Sequence, residues 1–150
     1  MLKKNLIVIT IIFIFFQISS SAGEEKFLSL KKNKVNVRYG PSFNFPVKYI
    51  YKKINLPIKQ IDKKENFRRI IDFKKNSGWI HISQLKKVNS VITVKDKILF
   101  KRPSVFSKPV ANIKMGRLLI VQKCEKDWCK IKTDNLKGWV DKKNLWGVTN

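Results

Sequence analysis

The stretch Gly78-Trp79-Ile80-His81 decides the fold, because it returns 60 residues further along the chain as Gly138-Trp139-Val140-Asp141. Around both copies, apolar and polar residues alternate in short runs, and no run follows the 3.6-residue period of a helix. Turn signals such as Gly40-Pro41-Ser42 separate these runs. The pattern predicts an all-β protein built from strands of about four to seven residues.

An internal repeat extends beyond the glycine–tryptophan pair, because four further matches follow in the same order with nearly constant spacing. The matched segments are Pro41-Ser42 with Pro103-Ser104, Pro46-Val47 with Pro109-Val110, Leu56-x-Ile58 with Leu118-x-Ile120, and Phe67 and Ile70 with Trp128 and Ile131. We therefore expect two tandem units, over residues 30–86 and 91–148.

The glycine–tryptophan pairs have a predicted structural role in each unit. A unit of this size has little core, so a large side chain contributes much of its stability. We expect Trp79 and Trp139 each to fill one small barrel. We expect Gly78 and Gly138 to allow a turn or bulge just before the tryptophan, where a Cβ atom would obstruct the chain.

The first 22 residues have the pattern of a cleavable signal peptide. Lys3 and Lys4 precede the uncharged apolar run 6–16, and Ser20 and Ala22 form a small-residue cleavage site. The alternative is an N-terminal helix kept as a membrane anchor, and the small-residue run favours cleavage. We expect an exported protein of the periplasm or cell envelope, with no transmembrane helix after cleavage.

Export predicts that the only two cysteines, Cys124 and Cys129, form a disulfide. Four residues lie between them, a spacing that a hairpin brings within reach of a disulfide. A metal site would need further ligands, and His81 is the only histidine. We expect a structural disulfide, no metal and no cofactor.

The charge of the chain is strongly positive: 33 Lys and Arg residues stand against 10 acidic ones, giving a formal net charge of +23. Such a charge draws a protein to anionic surfaces and says little about its fold. Only five of these cations are arginine, the residue that binds phosphate or guanine with two parallel hydrogen bonds, so the composition does not favour that kind of recognition. A binder of nucleic acid or another polyanion is the alternative function, and export argues against nucleic acid as the partner.

Several motifs resemble the bacterial SH3-like (SH3b) domains. The opening resembles their N-x-R-x-G-P-S pattern, and later segments resemble their L-P-V, W-R-x-I-x-D and G-W-V-H strands. These segments are Asn36 to Ser42, Leu56-Pro57-Ile58, Phe67 to Asp72, and Gly78 to His81 with Leu85. The second unit departs at its opening, because residues 97–104 lack the Asn-x-Arg and the glycine. The resemblance implies two small SH3-like β-barrels in tandem after an N-terminal signal peptide helix, and a location at the cell envelope.

For function, the resemblance implies a module that binds peptidoglycan or cell-wall peptides. The residues themselves offer no nucleophile–base pair and no Gly-x-Ser-x-Gly motif, so we expect no enzyme. Aromatic and basic residues crowd the segment after the first motif strand, as on a peptide-binding groove. The candidate ligand-binding residues are Arg38, Tyr39, Phe43, Tyr49 and Arg69. An envelope protein is the other candidate partner, and we expect a monomer.

Overall fold

The computed structural model describes residues 26–133 and 135–148, which form two antiparallel sheets of seven strands each. The predicted signal peptide lies outside the described residues. The first unit contains β1 (Lys26–Leu30), β2 (Val35–Arg38), β3 (Val47–Tyr51), β4 (Pro57–Lys64), β5 (Phe67–Ile71), β6 (Ser77–His81) and β7 (Leu85–Lys87), with a 3-10 turn over Ile82–Gln84. The second unit contains β8 (Ser90–Thr93), β9 (Lys97–Phe100), β10 (Pro109–Ile113), β11 (Leu118–Glu125), β12 (Trp128–Thr133), β13 (Leu136–Asp141) and β14 (Leu145–Trp146).

The two sheets have the same topology, which confirms the predicted repeat and the all-β class. The strand order is β3-β2-β6-β5-β4-β1-β7 in the first unit and β10-β9-β13-β12-β11-β8-β14 in the second. Within the described ranges, no backbone ladder joins the edge strands of either sheet, so closure into a barrel stays a prediction. The 3-10 turn is the only helical segment in this part of the chain, and no helix there is long and apolar enough to cross a membrane.

Each unit has an aliphatic core. The buried cluster of the first unit consists of Leu30, Val35, Val37, Leu56, Ile58, Ile70, Ile80 and Leu85, joined by Ile92 from the second. The cluster of the second unit consists of Val91, Leu99, Ile113, Leu119, Cys129, Ile131 and Val140.

The tryptophans do not fill these cores as the sequence predicted. Gly78 and Ile80 are buried, and because strand residues alternate between faces, Trp79 lies on the opposite face and is only half-buried. Trp139 is buried at 9% exposure, yet it stands outside the aliphatic cluster of its unit. Branched aliphatic side chains occupy the core of each unit, and of the two indoles only that of Trp79 remains partly exposed on the outer face.

The glycine before each tryptophan allows close packing and does not form a turn. Gly78 lies inside β6, where an added Cβ would stand 2.4 Å from Cγ1 of Val37 and 3.0 Å from the carbonyl oxygen of Arg38. At Gly138 the added atom would meet Leu99 at 2.7 Å. The glycine therefore lets the tryptophan strand approach its neighbour, which corrects the predicted turn or bulge.

The sequence patterns did not predict the first strand of each unit. β1 pairs with β4 and β7, so the first unit begins before residue 30, where the sequence placed its start. β8 is buried at all four positions and pairs with β11 and β14. β8 does not alternate, because burial at every position removes the polar–apolar period. In β1 only Ser29 and Leu30 are buried, which is too short a pattern to predict a strand.

The two units share an interface. The hydroxyls of Ser29 and Ser90 lie 3.0 Å apart, and the indole N–H of Trp146 donates to the carbonyl of Pro57 at 3.1 Å. The ring of Phe27 meets that of Trp146 edge-on at 5.1 Å. These contacts are buried or half-buried, so the units are packed against each other and are not merely strung on a linker.

The disulfide between Cys124 and Cys129 is confirmed. The two residues are cross-strand partners in the β11–β12 hairpin, with Cα atoms 4.0 Å apart. Closing so short a loop stabilises a domain by about 2 kcal/mol in the chain-entropy account.

Candidate binding site on the first unit

Three cations surround Trp79 on the outer face of the first sheet. Arg38 on β2 and Arg69 on β5 are its cross-strand partners on either side. Lys48 projects from β3, and its Nζ donates to the carbonyl of Ser77 at 3.0 Å. Together they form a shallow depression of about 270 Å³, here called the basic cleft, whose lining residues are Arg38, Tyr39, Lys48, Arg69, Ser77, Gly78 and Trp79.

The positive charge of the basic cleft is uncompensated. None of its lining residues is acidic. Within the described ranges, the exposed guanidinium of Arg69 has no hydrogen bond or ion pair, although Asp62 is its backbone partner on β4. The ammonium of Lys48 lies 5.6 Å from the ring centre of Tyr39, which leaves it near the surface. The cleft can therefore accept an anionic group, and its arginines favour a planar carboxylate or a phosphate.

An aromatic pocket adjoins the basic cleft. The rings of Phe43, Phe67 and His81 contact one another, with centres 5.0–5.1 Å apart. The Nδ1 atom of His81 lies 2.8 Å from the hydroxyl of Ser83, which fixes the imidazole. The pocket has a volume of about 320 Å³ and is lined by Pro41, Ser42, Phe43, Asn44, Glu65, Asn66, Phe67 and His81. Its apolar rings suit the body of a ligand whose anionic end lies in the cleft.

Arg38 joins the two surfaces. Its guanidinium donates to the carbonyls of Phe43 at 3.2 Å and of Phe45 at 2.7 Å, and it lies 5.5 Å from the centre of the Phe43 ring. The ring of Phe45 lies directly against Gly40, where an added Cβ would come within 2.5 Å of it. The arginine and the glycine therefore hold the loop that carries Phe43, which explains why the motif contains both.

Four of the five predicted ligand-binding residues come together. Arg38, Tyr39 and Arg69 line the basic cleft, and Phe43 lines the aromatic pocket. Their ligand contacts stay predictions, but their placement is favourable because Tyr39 is 62% and Phe43 60% exposed.

Tyr49 does not join them, and its predicted place at the site is corrected. It packs against the core of the first unit, and its hydroxyl lies 3.3 Å from that of Tyr51. Tyr51 in turn donates to the buried carboxylate of Asp72 at 2.9 Å. Burial raises the pKa of both tyrosines, and the neighbouring Asp72 charge adds to the increase.

Asp72 stabilises the turn after β5. Its carboxylate accepts from the backbone N–H groups of Lys74 and Asn76 and from the Asn76 side chain, all at 2.9–3.0 Å. With Tyr51 it forms a buried network that shapes the sheet edge and leaves no oxygen directed at the basic cleft.

Four side chains that build the site were missed as ligand contacts: Lys48, Phe67, Trp79 and His81. No sequence signal assigned Trp79 to the outer face, because its neighbour Ile80 is also apolar and β6 therefore carries apolar residues on both faces. Lys48 had no usable signal, because it occupies the position where the pairing of β2 and β3 skips a residue.

The second unit lacks this site. Phe100 stands in place of Arg38 as the β-partner of Trp139, and Val110 stands at the skipped position that Lys48 occupies in β3. Phe100 packs on Trp128 with ring centres 5.7 Å apart. Apolar packing has thus replaced two of the three cations. The pairing also shows that the Pro-Val match of the sequence analysis is out of register by one residue.

Buried charge in the second unit is paired internally. The ammonium of Lys97, which is nearly buried, lies 2.6 Å from the carboxylate of Asp141 and 2.9 Å from the carbonyl of Lys143. Among the described residues, no cluster of three or more His, Cys, Asp or Glu side chains is placed to hold a metal ion.

A known protein family matches both units of the chain. The family model described as "Bacterial SH3 domain" matches residues 31–87 and again residues 94–147. No curated protein matches the chain.

Three similar solved structures are much longer proteins. NlpC2 from Trichomonas vaginalis has 12% identity and a TM-score of 0.37, with coverage of 81% of this chain and 47% of that one. NlpC1 from the same organism has 15% identity and a TM-score of 0.37, with coverage of 85% and 47%. An NlpC/P60 family protein from Bacillus cereus has 12% identity and a TM-score of 0.38, with coverage of 80% and 55%. The chain thus spans about half the length of the structures it matches.

Proposed function

The chain belongs to the bacterial SH3 domain family, and on that premise we propose that it is a non-enzymatic binding protein of the cell envelope, whose first unit recognises carboxylate-bearing peptides of the cell wall. Family membership supports a cell-wall-associated binding module. The second unit, which lacks the basic cleft, acts in this proposal as a packed structural partner of the first.

One observation carries the proposal: three cations meet around Trp79, with no acidic residue in the lining and an aromatic pocket alongside. An uncompensated pair of arginines and a lysine attracts a carboxylate, and arginine binds it with two parallel hydrogen bonds. Peptidoglycan stem peptides carry free carboxylates on short, partly apolar chains. Such a peptide, extended across β6, places its carboxylate at Arg69 and an apolar side chain against Phe43.

The net charge and the disulfide both suit a protein that works at the cell wall, outside the cytoplasm. A charge of +23 brings the chain to anionic wall polymer over a distance of about one Debye length, before any specific contact forms. The Cys124–Cys129 bond is typical of proteins that work in an oxidising compartment. Both support export, in agreement with the signal pattern of residues 1–22.

The test is retention of the full chain on purified wall sacculi across a salt series. We compare the double variant Lys48→Gln with Arg69→Gln against a control of equal charge, Lys52→Gln with Lys53→Gln, since these two lysines are exposed and outside the cleft. We expect the cleft variant to lose at least about tenfold in affinity at 0.15 M salt, because charge-assisted hydrogen bonds are lost. The control should change less than about twofold to threefold.

Equal losses in the two variants would reduce the interaction to ion exchange and remove the proposed site. For the absence of catalysis, sacculi incubated with the chain should release no soluble wall fragment. Measurable release of fragments would show an enzyme and overturn that part of the proposal.

A further inference from the structure

The loop between β9 and β10, residues 101–108, exposes an aromatic ring that no residue within 26–133 or 135–148 covers. Phe106 is 97% exposed and its neighbour Val105 is 63% exposed. We call this segment the basic loop. Because Val105 and Phe106 are adjacent at a loop tip, they form a small apolar surface that gains free energy when a partner removes it from water.

The corresponding loop of the first unit is closed by the same pair of backbone positions. Tyr39 N–H donates to the carbonyl of Pro46 at 3.2 Å, and Lys101 N–H donates to that of Lys108 at 3.0 Å. A serine hydroxyl caps each tip, at Asn44 in the first unit and at Phe106 in the second. The two loops can therefore be compared position by position.

In the first unit, two aromatic side chains of this loop pack against other parts of the unit and are more covered than Phe106. Phe43 contacts Phe67, and Phe45 covers Gly40. In the second unit, Arg102 takes the place of that glycine and Ser107 takes the place of Phe45. The aromatic ring has moved one position, to the outward-facing place of Asn44.

The tip of the basic loop is fixed before any partner arrives. The hydroxyl of Ser107 accepts from Arg102 N–H at 2.9 Å, and that of Ser104 accepts from Phe106 N–H at 3.2 Å. Ser107 N–H also donates to the carbonyl of Ser104 at 3.1 Å. The exposed ring is thus presented by an ordered turn, which lowers the entropy cost of binding.

Three cations lie in the same loop as the ring. Lys101, Arg102 and Lys108 are all exposed, whereas the matching loop of the first unit, residues 39–46, contains no cation. No acidic residue occurs between Asp96 and Glu125 in the sequence. Two changes relative to the first loop therefore coincide: the aromatic ring points outward, and three positive charges flank it.

We propose that the basic loop docks on an anionic lipid surface, with Phe106 and Val105 inserted between the headgroups and the three cations above them. A protruding apolar tip fits a partner that can deform around it. The three cations of the loop require that this partner be negatively charged. An anionic bilayer provides both. Each Lys or Arg near such a surface strengthens binding about fivefold, so attachment through one loop is weak, reversible and sensitive to salt. This site is separate from the basic cleft of the first unit.

The test places an environment-sensitive dye on the loop of the full chain. The only native cysteines are paired, so a Val105→Cys substitution gives a single labelling site, and an NBD dye there reports its own surroundings. We add vesicles of phosphatidylglycerol and phosphatidylcholine in equal parts, or of phosphatidylcholine alone. We expect at least a twofold increase in emission with the anionic vesicles and none with the neutral ones.

The matched control carries the dye at Asn44→Cys, the equivalent position to Phe106 in the first unit, where we expect no increase. Adding Phe106→Ser to the labelled chain should weaken vesicle binding about tenfold, with an unchanged melting temperature because the ring makes no internal contact. Adding Lys101→Gln with Arg102→Gln should weaken it about 25-fold. No increase at position 105, an equal increase at position 44, or binding indifferent to Phe106→Ser would each overturn the proposal.

Discussion

Replacing Gly78 by alanine tests the packing on which the outer face of β6 depends. The added Cβ would stand 2.4 Å from Cγ1 of Val37, more than 1 Å inside normal carbon–carbon contact, and 3.0 Å from the backbone oxygen of Arg38. The side chain of Val37 is fully buried and cannot swing aside, so β6 must move away from β2. Overpacking of this kind costs about 1–3 kcal/mol, and alanine in a strand recovers less than about 1 kcal/mol of backbone entropy.

We therefore expect Gly78→Ala to lower the free energy of unfolding by about 2 kcal/mol, measured by urea denaturation with Trp fluorescence. The matched control is Gly116→Ala, where the added atom meets nothing within 4 Å and only the positive φ of +80° is unfavourable. That substitution should cost about 1 kcal/mol.

A double-mutant cycle separates the clash from other effects. Val37→Ala alone opens a cavity in the core and costs about 1–3 kcal/mol. Combined with Gly78→Ala, it removes the atom that the new Cβ strikes, so the double variant should be at least about 1 kcal/mol more stable than the sum of the two losses predicts. Strict additivity, or a cost at Gly78 no larger than at Gly116, would refute the explanation of close packing.

Two further predictions concern stability. Replacing Cys124 and Cys129 by serine should lower the free energy of unfolding by about 2 kcal/mol, and a reductant should destabilise the native chain by the same amount but leave the variant unchanged; a stable reduced native chain would contradict this. Burial raises the pKa of Tyr51, so the folded state favours the neutral phenol, and its stabilising contribution is complete below pH 10 and is lost as the pH rises above 10. Between pH 9 and 11, the free energy of unfolding should therefore fall more steeply in the native chain than in the Tyr51→Phe variant, by up to about 1.4 kcal/mol per pH unit. Parallel curves for the two proteins would show that Tyr51 does not contribute.

Much of the fold could be predicted from the sequence, because an internal repeat can be recognised by comparing the chain with itself. The order of the Gly-Trp, Pro-Ser and Leu-x-Ile matches predicted two like units, and their sheets do share one topology. The hairpin spacing of the cysteines predicted their bond. These signals are local, and each depends on a covalent spacing or a strand period.

The features that the sequence missed depend on contacts between distant segments. β8 carries no alternation, because it is buried at every position, and in β1 only the last two residues are buried. The pattern around Trp79 has apolar residues on both faces of the strand, so the period alone could not assign the indole to the outside. Tyr49 follows a position where the pairing of β2 and β3 skips a residue, and a skipped residue reverses which face the next side chain takes.

The divergence of the two units explains why the candidate site could be predicted only in part. The sequence favoured Arg38, Tyr39, Phe43 and Arg69 from a motif and from crowding of aromatic and basic residues, and these four do converge. Lys48 reaches the cleft only because β3 runs beside β2. Its counterpart Val110 shows that the same topology can carry an apolar surface instead.

The most direct test of the account is an NMR titration of the full chain with a wall stem peptide that ends in a free carboxylate. Trp79 and Trp139 occupy matching strands, and only Trp79 has Arg38 and Lys48 beside it. We predict that the indole N–H resonance of Trp79 and the guanidinium resonances of Arg38 and Arg69 move with saturation, while the indole of Trp139 stays in place. Equal movement of both indoles, or movement of neither, would contradict a peptide site on the first unit.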